Sequence, residues 1–245
     1  MNYLDNNHLE DVRRFYQLMD NLENIVDDKR RLETCNGRMK WPQRGVYFFF
    51  EDNEFRTTSG EGPRVVRIGT HALKSNSKTT LWNRLSQHQG VQKDGGGNHR
   101  GSIFRLHIGT AFINRYELTN PYTLTWGDGS SASKNVRQEE KPLEQEVSRY
   151  IGNMPFLWLE VDDDPGPDSD RGFIERNTIA LLSNFCVDLH SEYPIDPPDK
   201  DWLGNYARNK DIRESGLWNI NHVRECYNPG IFELLEQKIN KMNSN

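Results

Sequence analysis

Apolar residues recur at three- and four-residue steps through residues 8–33, with acids and bases between them. This spacing places the apolar side chains on one face of a helix, because an α-helix turns once every 3.6 residues. The turn-rich segment CNGRMKWPQRG ends the pattern. We therefore predict an amphipathic helix over 8–33. Its apolar face consists of Leu9, Val12, Phe15, Leu18, Met19, Leu22, Ile25 and Val26.

Short apolar runs elsewhere predict strands. The first two runs are rich in aromatic and β-branched residues and are joined by a turn-rich connection, which is typical of a hairpin with a long loop. In the third run, apolar residues alternate with arginine and histidine, and this period of two also favours a strand. The predicted strands are GVYFFF (45–50), RVVRIG (64–69), SIFRLHIGTAFI (102–113) and MPFLWLEV (154–161).

Four further segments predict helices from their apolar spacing and their boundary residues. In the first of them, Ser77, Thr79 or Thr80 is a candidate cap and Gly90 a candidate terminator. We find no internal repeat and no linker, so one α+β domain with insertions is the expected architecture. The predicted helices cover 77–90, 141–152, 173–185 and 230–242.

The charge of the chain is distributed unevenly. The net charge is −5, yet the segment 63–116 contains nine Lys or Arg residues and one acid, Asp94. Four of the seven histidines also lie there. A local basic surface can attract a polyanion whatever the total charge is, because charges are screened beyond about 10 Å. The alternative is an ordinary fluctuation of charge along a sequence.

Three features favour a reducing, cytoplasmic location. The three cysteines are far apart and form no CxxC pair, which argues against a disulfide framework and against a structural zinc site. The N-terminus lacks the basic start and apolar run of a signal peptide. No apolar stretch reaches the roughly 18 residues of a membrane span.

An ordered set of short motifs resembles the GIY-YIG nuclease family. Gly45-Val46-Tyr47 is similar to the first motif, and Arg67-Ile68-Gly69 occupies the place of the second. Arg84 and His88 resemble the arginine and histidine of restriction-enzyme members, and Glu175 resembles the metal-binding glutamate of the family. The resemblance extends over about Gly45 to Asn184.

The sequence departs from the family at the second tyrosine and in the long interval from Arg84 to Glu175, which implies a large insertion. Arginine replaces the second tyrosine, so its role would fall to Arg67, to His71, or to neither. The late asparagine has two candidates, which the sequence does not separate: Asn184, nine residues after Glu175, and Asn219, in a GLWN segment similar to the ending of some restriction enzymes.

The resemblance implies a reaction. Glu175 would hold one divalent ion, Mg²⁺ or Mn²⁺, and Tyr47 would face the scissile phosphate, where it activates water or relays a proton. Arg84 suits bidentate phosphate contact, and His88 could pass a proton near neutral pH. Each residue also has an ordinary explanation: Glu175 in a salt bridge to Arg171, Arg84 and His88 on a solvated helix face, and Tyr47 in the core.

These observations predict a small, central, mostly antiparallel three-stranded sheet flanked by helices. We expect a helical extension (1–40), a nuclease core with an insertion (41–190) and a C-terminal extension (191–245). The expected partner of the core is DNA; RNA and a homodimer are left open, and no membrane contact is expected. The residues expected to contact nucleic acid are Arg64, Lys74, Lys78, Lys93, Arg100 and Arg105.

The predicted function is a divalent-metal-dependent DNA endonuclease, with restriction or anti-phage defence as its role by family analogy. A domain of this fold that binds nucleic acid and no longer cleaves it is one alternative, because the second tyrosine is missing. An adaptor whose basic segment contacts an acidic partner is another.

Overall fold

Four antiparallel strands form one sheet in the computed structural model, which describes residues 8–91, 93, 95–185 and 194–244. The strands are β1 (Arg30–Arg31), β2 (Gly45–Phe55), β3 (Pro63–Gly69) and β4 (Pro155–Glu160). They lie in the order β1, β4, β2, β3. The predicted three-stranded sheet is therefore present as β4, β2 and β3, and the short β1 extends one edge.

Helices surround this sheet and account for most of the remaining regular structure. The longer ones are α1 (His8–Val26), α2 (Leu81–Gln89), α3 (Ile103–Arg115), α5 (Lys134–Asn153), α6 (Asp170–Leu182) and α8 (Ile231–Asn243). The shorter ones are α4 (Pro121–Thr125) and α7 (Lys210–Ser215), with 3₁₀ turns at Leu32–Thr34, His99–Gly101 and Leu203–Tyr206.

The N-terminal helix is confirmed, but it ends before residue 33. α1 stops at Val26, and Asp27 and Asp28 follow with φ angles of 60° and 81°. These angles lie in the left-handed region, which a right-handed helix cannot continue through. Most of the predicted apolar face is buried, with Phe15 and Leu22 inaccessible to solvent and Leu9 and Ile25 partly buried, and the helix packs against α8 and β4.

The segment 102–113 is a helix, α3, so the strand predicted there is wrong. Ser102 caps this helix by accepting a hydrogen bond from the Arg105 backbone N–H. Phe104 and Ile108 are four residues apart and are both buried, as a helix face requires. The apparent alternation is misleading because Arg105 is buried as well.

The boundaries of two other predicted helices have clear chemical causes. Thr80 caps α2 in a reciprocal arrangement with Asn83, and Gly90 ends it with a φ of 83°. The helix predicted to begin at residue 141 begins at Lys134 instead, because the Ser133 hydroxyl accepts a hydrogen bond from the first turn.

The start of β2 and the end of β3 lie side by side and position the candidate site. Tyr47 pairs with Gly69 of β3 and with Trp158 of β4. Thr70, directly after β3, donates its hydroxyl proton to the Gly45 carbonyl, with 2.8 Å between the oxygens. α6 contacts both strands. Residues on β2, β3 and α6 therefore meet at this junction.

Candidate active site

The Tyr47 phenol lies buried at the centre of the site, with 0% of the residue exposed. Its Oη is 2.8 Å from His88 Nε2. A β-carbon on Gly69 would lie 2.7 Å from Tyr47 Cε2 and closer still to Cζ and Oη. The tyrosine of the first motif therefore requires the glycine of the second, because only glycine leaves room for the ring.

His88 is inaccessible to solvent and has a hydrogen-bond partner on each ring nitrogen. Nε2 faces Tyr47, and Nδ1 is 2.8 Å from Ser102 Oγ. Burial holds the pKa of His88 well below its usual value, and the charges of Arg84, Arg67 and Arg105 lower it further. The imidazole is therefore neutral at physiological pH, and the expectation of a solvated helix face is wrong for this residue.

Arg67 occupies the place of the second tyrosine and is 6% exposed. One guanidinium nitrogen donates to the Trp218 carbonyl at 2.6 Å, and the group lies over the Phe104 ring. Burial lowers the pKa of Arg67, whereas the nearby Tyr47 and Glu175 raise it. Arg67 is also placed to hydrogen-bond to the Tyr47 phenol. The guanidinium thus lies close to both groups.

Glu175 projects from α6 toward the end of β3. Its Oε1 accepts a hydrogen bond from the Thr70 backbone N–H at 3.1 Å. Burial raises the pKa of Glu175, and Arg67 is the strongest influence that lowers it. Arg171 pairs instead with Asp163 and donates to the His71 carbonyl. The explanation of Glu175 as the partner of Arg171 is therefore wrong.

The surroundings of Glu175 fit a hydrated divalent ion. Within the described residues, no hydrogen bond to its second oxygen, Oε2, is found. No group of three or more His, Cys, Asp or Glu side chains that could hold a metal occurs in that part of the chain. Mg²⁺ keeps several waters and is often bound by one or two carboxylates together with substrate phosphates. One partly buried carboxylate with a free oxygen suits that mode of binding.

Arg84 lies on α2 at the rim of the site and is half-buried. One of its guanidinium nitrogens donates to Gln87 at 3.1 Å. Its Nε is buried and has no partner among the described residues. Its charge acts on the pKa of both His88 and Glu175, so it lies close to the same cluster.

His71 lies just after β3, where its Nε2 is 3.3 Å from the Gln43 carbonyl. Burial lowers its pKa to about 4, and the charge of Arg171 contributes. His71 therefore stays neutral near pH 7; its imidazole faces the Gln43 carbonyl, and its own carbonyl accepts a hydrogen bond from Arg171.

The structure separates the two candidate asparagines. The Asn219 side chain accepts a hydrogen bond from the Ile68 N–H at 3.1 Å and donates to the Ile68 carbonyl at 2.8 Å. Asn219 therefore fastens the C-terminal segment to the second motif. Asn184 lies beyond the end of α6, where its backbone N–H donates to the Ser215 carbonyl and its side chain lies against Gly216. It is not part of the cluster.

Three of the six residues expected to contact nucleic acid are buried in ion pairs, which corrects that expectation. In each pair the nitrogen and oxygen are 2.6 Å apart, and the side chains are at most 4% exposed. A guanidinium group held in this way cannot reach a phosphate in solution. The other three, Lys74, Lys78 and Lys93, are exposed. The buried pairs are Arg64–Glu54, Arg100–Glu140 and Arg105–Glu144.

Four residues near the cluster were not anticipated. Thr70 binds Glu175, and Ser102 binds His88. His222 acts on the pKa of Glu175. His107 lies near Arg67, and its Nε2 is buried without a partner among the described residues. The signal for Ser102 is its position as a cap, which becomes visible once α3 is recognised as a helix.

The comparison with protein families agrees with this geometry. A family model described as a GIY-YIG domain matches residues 6–245, which include every element of the cluster. No curated protein and no solved structure matches the chain. Within the described ranges, no helix is long and apolar enough to cross a membrane. Because the family model matches residues 6–245, the chain belongs to the GIY-YIG family, whose members are generally endonucleases.

Proposed function

We propose that this GIY-YIG protein is a divalent-metal-dependent endonuclease that hydrolyses phosphodiester bonds in DNA. One observation supports the proposal most. A phenol, two guanidinium groups, a neutral imidazole and a carboxylate, supplied by β2, β3, α2 and α6, lie together at the junction of β2 and β3. They belong to Tyr47, Arg67, Arg84, His88 and Glu175.

The two arginines supply positive charge for a phosphate. Each has a buried Nε without a partner among the described residues, so neither guanidinium group is fully paired by the protein. Arg84 lies at the rim and Arg67 lies deeper, beside Tyr47. Guanidinium groups bind phosphate oxygens in a fixed geometry and do not titrate away. We assign both arginines to binding the scissile phosphate and stabilising its charge in the transition state.

Tyr47 is the group that exchanges a proton with the attacking water. In its ionised form the phenol oxygen takes a proton from the water, and the resulting hydroxide forms a bond to phosphorus. The bond from phosphorus to the leaving oxygen breaks, and that oxygen takes a proton from solvent. Arg67 and His88 lie beside the phenol oxygen and position it.

Glu175 would hold the divalent ion, Mg²⁺ or Mn²⁺, through its carboxylate. When bound, the ion would polarise the phosphate and stabilise negative charge on its oxygens. The Thr70 N–H holds one carboxylate oxygen in place. Asn219, from the segment 191–245 that we assign to the C-terminal extension, holds the adjacent end of β3.

The replacement of tyrosine by Arg67 supports a second candidate, a module that binds DNA and no longer cleaves it. Supercoiled plasmid incubated with Mg²⁺ or Mn²⁺, and separately with EDTA, distinguishes the two. An endonuclease produces nicked or linear DNA only with metal. A binding module produces no cleavage with either metal but retains binding that weakens as salt rises.

We place the activity in restriction or anti-phage defence in the cytoplasm, by analogy with restriction enzymes of the family. Cells that express the wild-type chain should form fewer phage plaques than cells that express Tyr47→Phe at the same level. Equal plaque numbers would contradict the defence role without affecting the nuclease proposal.

A further inference from the structure

Two segments beside the catalytic cluster contain basic residues and no acids. One is 36–44, which leads into β2, and the other is 70–80, which connects β3 to α2. Together they contain five Lys or Arg residues and no Asp or Glu, although the net charge of the chain is −5. A group of cations without intervening acids creates a local positive potential, which attracts a polyanion.

The two segments contact each other and adjoin the site. The Gln43 carbonyl lies 3.3 Å from His71 Nε2 and accepts the Leu81 backbone N–H, at the start of α2, at 3.0 Å. The segment 70–80 begins at Thr70, whose N–H binds Glu175, and it ends at the cap of α2. Because α2 carries Arg84, the segment 70–80 connects the carboxylate of the site to the arginine at its rim. The two segments therefore form one continuous surface beside the cluster.

Four of the five cations have no partner within the protein. Arg44 has one, because it donates to the Asp163 carbonyl and lies 3.8 Å from an oxygen of Asp164. The other four residues are exposed, and the described part of the chain forms no hydrogen bond or ion pair with their side chains. They differ in this from the three arginines that are buried in ion pairs. We call these four residues the cationic surface: Arg38, Lys40, Lys74 and Lys78.

Aromatic packing holds the first half of this surface in place. The Trp41 ring stacks on Trp82 of α2, with 5.2 Å between the ring centroids, and Trp41 Nε1 donates to the Asn36 carbonyl at 3.0 Å. A β-carbon on Gly37 would lie 2.7 Å from Trp82 Nε1, so the backbone packs directly against this ring. The turn 36–41 therefore presents its two cations from a fixed support. Such preorganisation lowers the entropy cost of binding, because the backbone is already ordered.

We propose that the cationic surface binds the phosphate backbone of duplex DNA beside the scissile phosphate. A duplex carries one negative charge per about 1.7 Å of its axis, so DNA that places a phosphate at Arg84 also places phosphates over the neighbouring surface. Contacts of this kind fix the position of the duplex and do not read its sequence. The role of the surface in cleavage rests on the proposed function, whereas the binding itself does not.

The salt dependence of DNA binding tests the proposal. The anisotropy of a fluorescently labelled DNA duplex is measured with the full-length protein in EDTA, between about 50 and 200 mM salt. Each phosphate contact adds about 0.9 to the slope of log affinity against log salt concentration, which is about eightfold in affinity at about 0.1 M salt. Replacing all four residues of the cationic surface by glutamine should therefore lower the slope by about 3.6. The control replaces four other exposed cations by glutamine: Lys134, Arg137, Lys200 and Arg208.

The control removes the same total charge, so a slope lowered only in the surface variant supports the proposal. Equal slopes in the two variants would overturn it. Failure of the wild type to bind the duplex at low salt would also overturn it, and would favour an acidic protein as the partner of this surface. Plasmid cleavage with Mg²⁺ separates this proposal from the proposed function. Cleavage by the wild type together with equal slopes would refute the surface and keep the nuclease, whereas a lowered slope without any cleavage would keep the surface and refute the nuclease.

Discussion

Substituting Gly69 by alanine should disturb Tyr47 directly. The new β-carbon would lie 2.7 Å from Tyr47 Cε2 and closer to Cζ and Oη, whereas carbon atoms in contact are normally about 3.5–4.0 Å apart. The phenol must therefore move by roughly 1 Å or more. Gly69 does not have a positive φ, so alanine introduces no backbone strain of its own. The effect of the substitution is steric.

The magnitude follows from this displacement. Overpacking of a filled core typically lowers the free energy of unfolding by about 1–3 kcal/mol. The Tyr47 Oη to His88 Nε2 hydrogen bond, 2.8 Å long, cannot survive a shift of this size away from the imidazole. A misplacement of about 1 Å can reduce a catalytic rate by roughly 100-fold. We therefore expect Gly69→Ala to be folded, less stable and nearly inactive.

Urea denaturation and plasmid cleavage measure the two effects. Gly166→Ala is the control, because a β-carbon at Gly166 meets nothing within 4 Å and its φ is not positive. We expect that control to change the free energy of unfolding by no more than about 0.5 kcal/mol. If Gly69→Ala were as stable and as active as Gly166→Ala, the steric explanation of the motif glycine would be refuted.

Three further outcomes follow from buried polar groups. Asn219→Ala should lower the free energy of unfolding by about 1–3 kcal/mol in urea, because it leaves buried backbone groups of β3 unpaired. The free energy of unfolding should fall as the pH is lowered from about 6.5 to about 4. Burial lowers the pKa of His71 and of His107 to about 4, whereas the unfolded chain takes up these protons near pH 6.5. The stability contributed by the two neutral imidazoles is therefore fully present above pH 6.5 and is lost as the pH falls. Arg105→Gln should cost about 3–5 kcal/mol, since it leaves Glu144 without its buried arginine.

Each of these predictions has its own check. Lys93→Gln is the control for Arg105→Gln. It removes an exposed charge from the same basic segment and should leave the midpoint of urea denaturation nearly unchanged. Replacing His71 and His107 by glutamine should reduce the decline in stability below pH 6.5, and the part that remains belongs to other groups such as His88, whose pKa is also lowered by burial. An equal decline in that double variant would assign the pH dependence to other groups. Full activity and stability in Asn219→Ala would remove Asn219 from the site.

The sequence predicted the parts of the fold whose signals are local. The hairpin, β4, α2 and α6 follow from apolar runs and from caps such as Thr80, which act within a few residues. The strand predicted in place of α3 is wrong because Arg105 lies buried in an ion pair with Glu144, a residue 39 positions away. A polar residue that is buried by a distant partner reproduces the alternation of a half-exposed strand.

The same limitation explains the misplaced DNA contacts. The segment 63–116 is basic when its charges are counted along the chain, yet Glu54, Glu140 and Glu144 lie outside it and pair with three of its arginines. The residues of the cluster were recognised from motif order. Asn219 could be distinguished from Asn184 only in three dimensions, because its pairing with Ile68 spans 151 residues.

The cleavage rate of Glu175→Gln tests the central proposal most directly. The variant keeps the shape of the side chain and an oxygen for the Thr70 N–H, and it removes the charge that would hold a divalent ion. Glu233→Gln makes the same change at an exposed position on α8. With Mg²⁺ or Mn²⁺, we expect wild type and Glu233→Gln to cleave plasmid DNA at similar rates and Glu175→Gln to be inactive while folded. Cleavage by Glu175→Gln at the wild-type rate, or by the wild type in EDTA, would contradict a metal-dependent site at this glutamate.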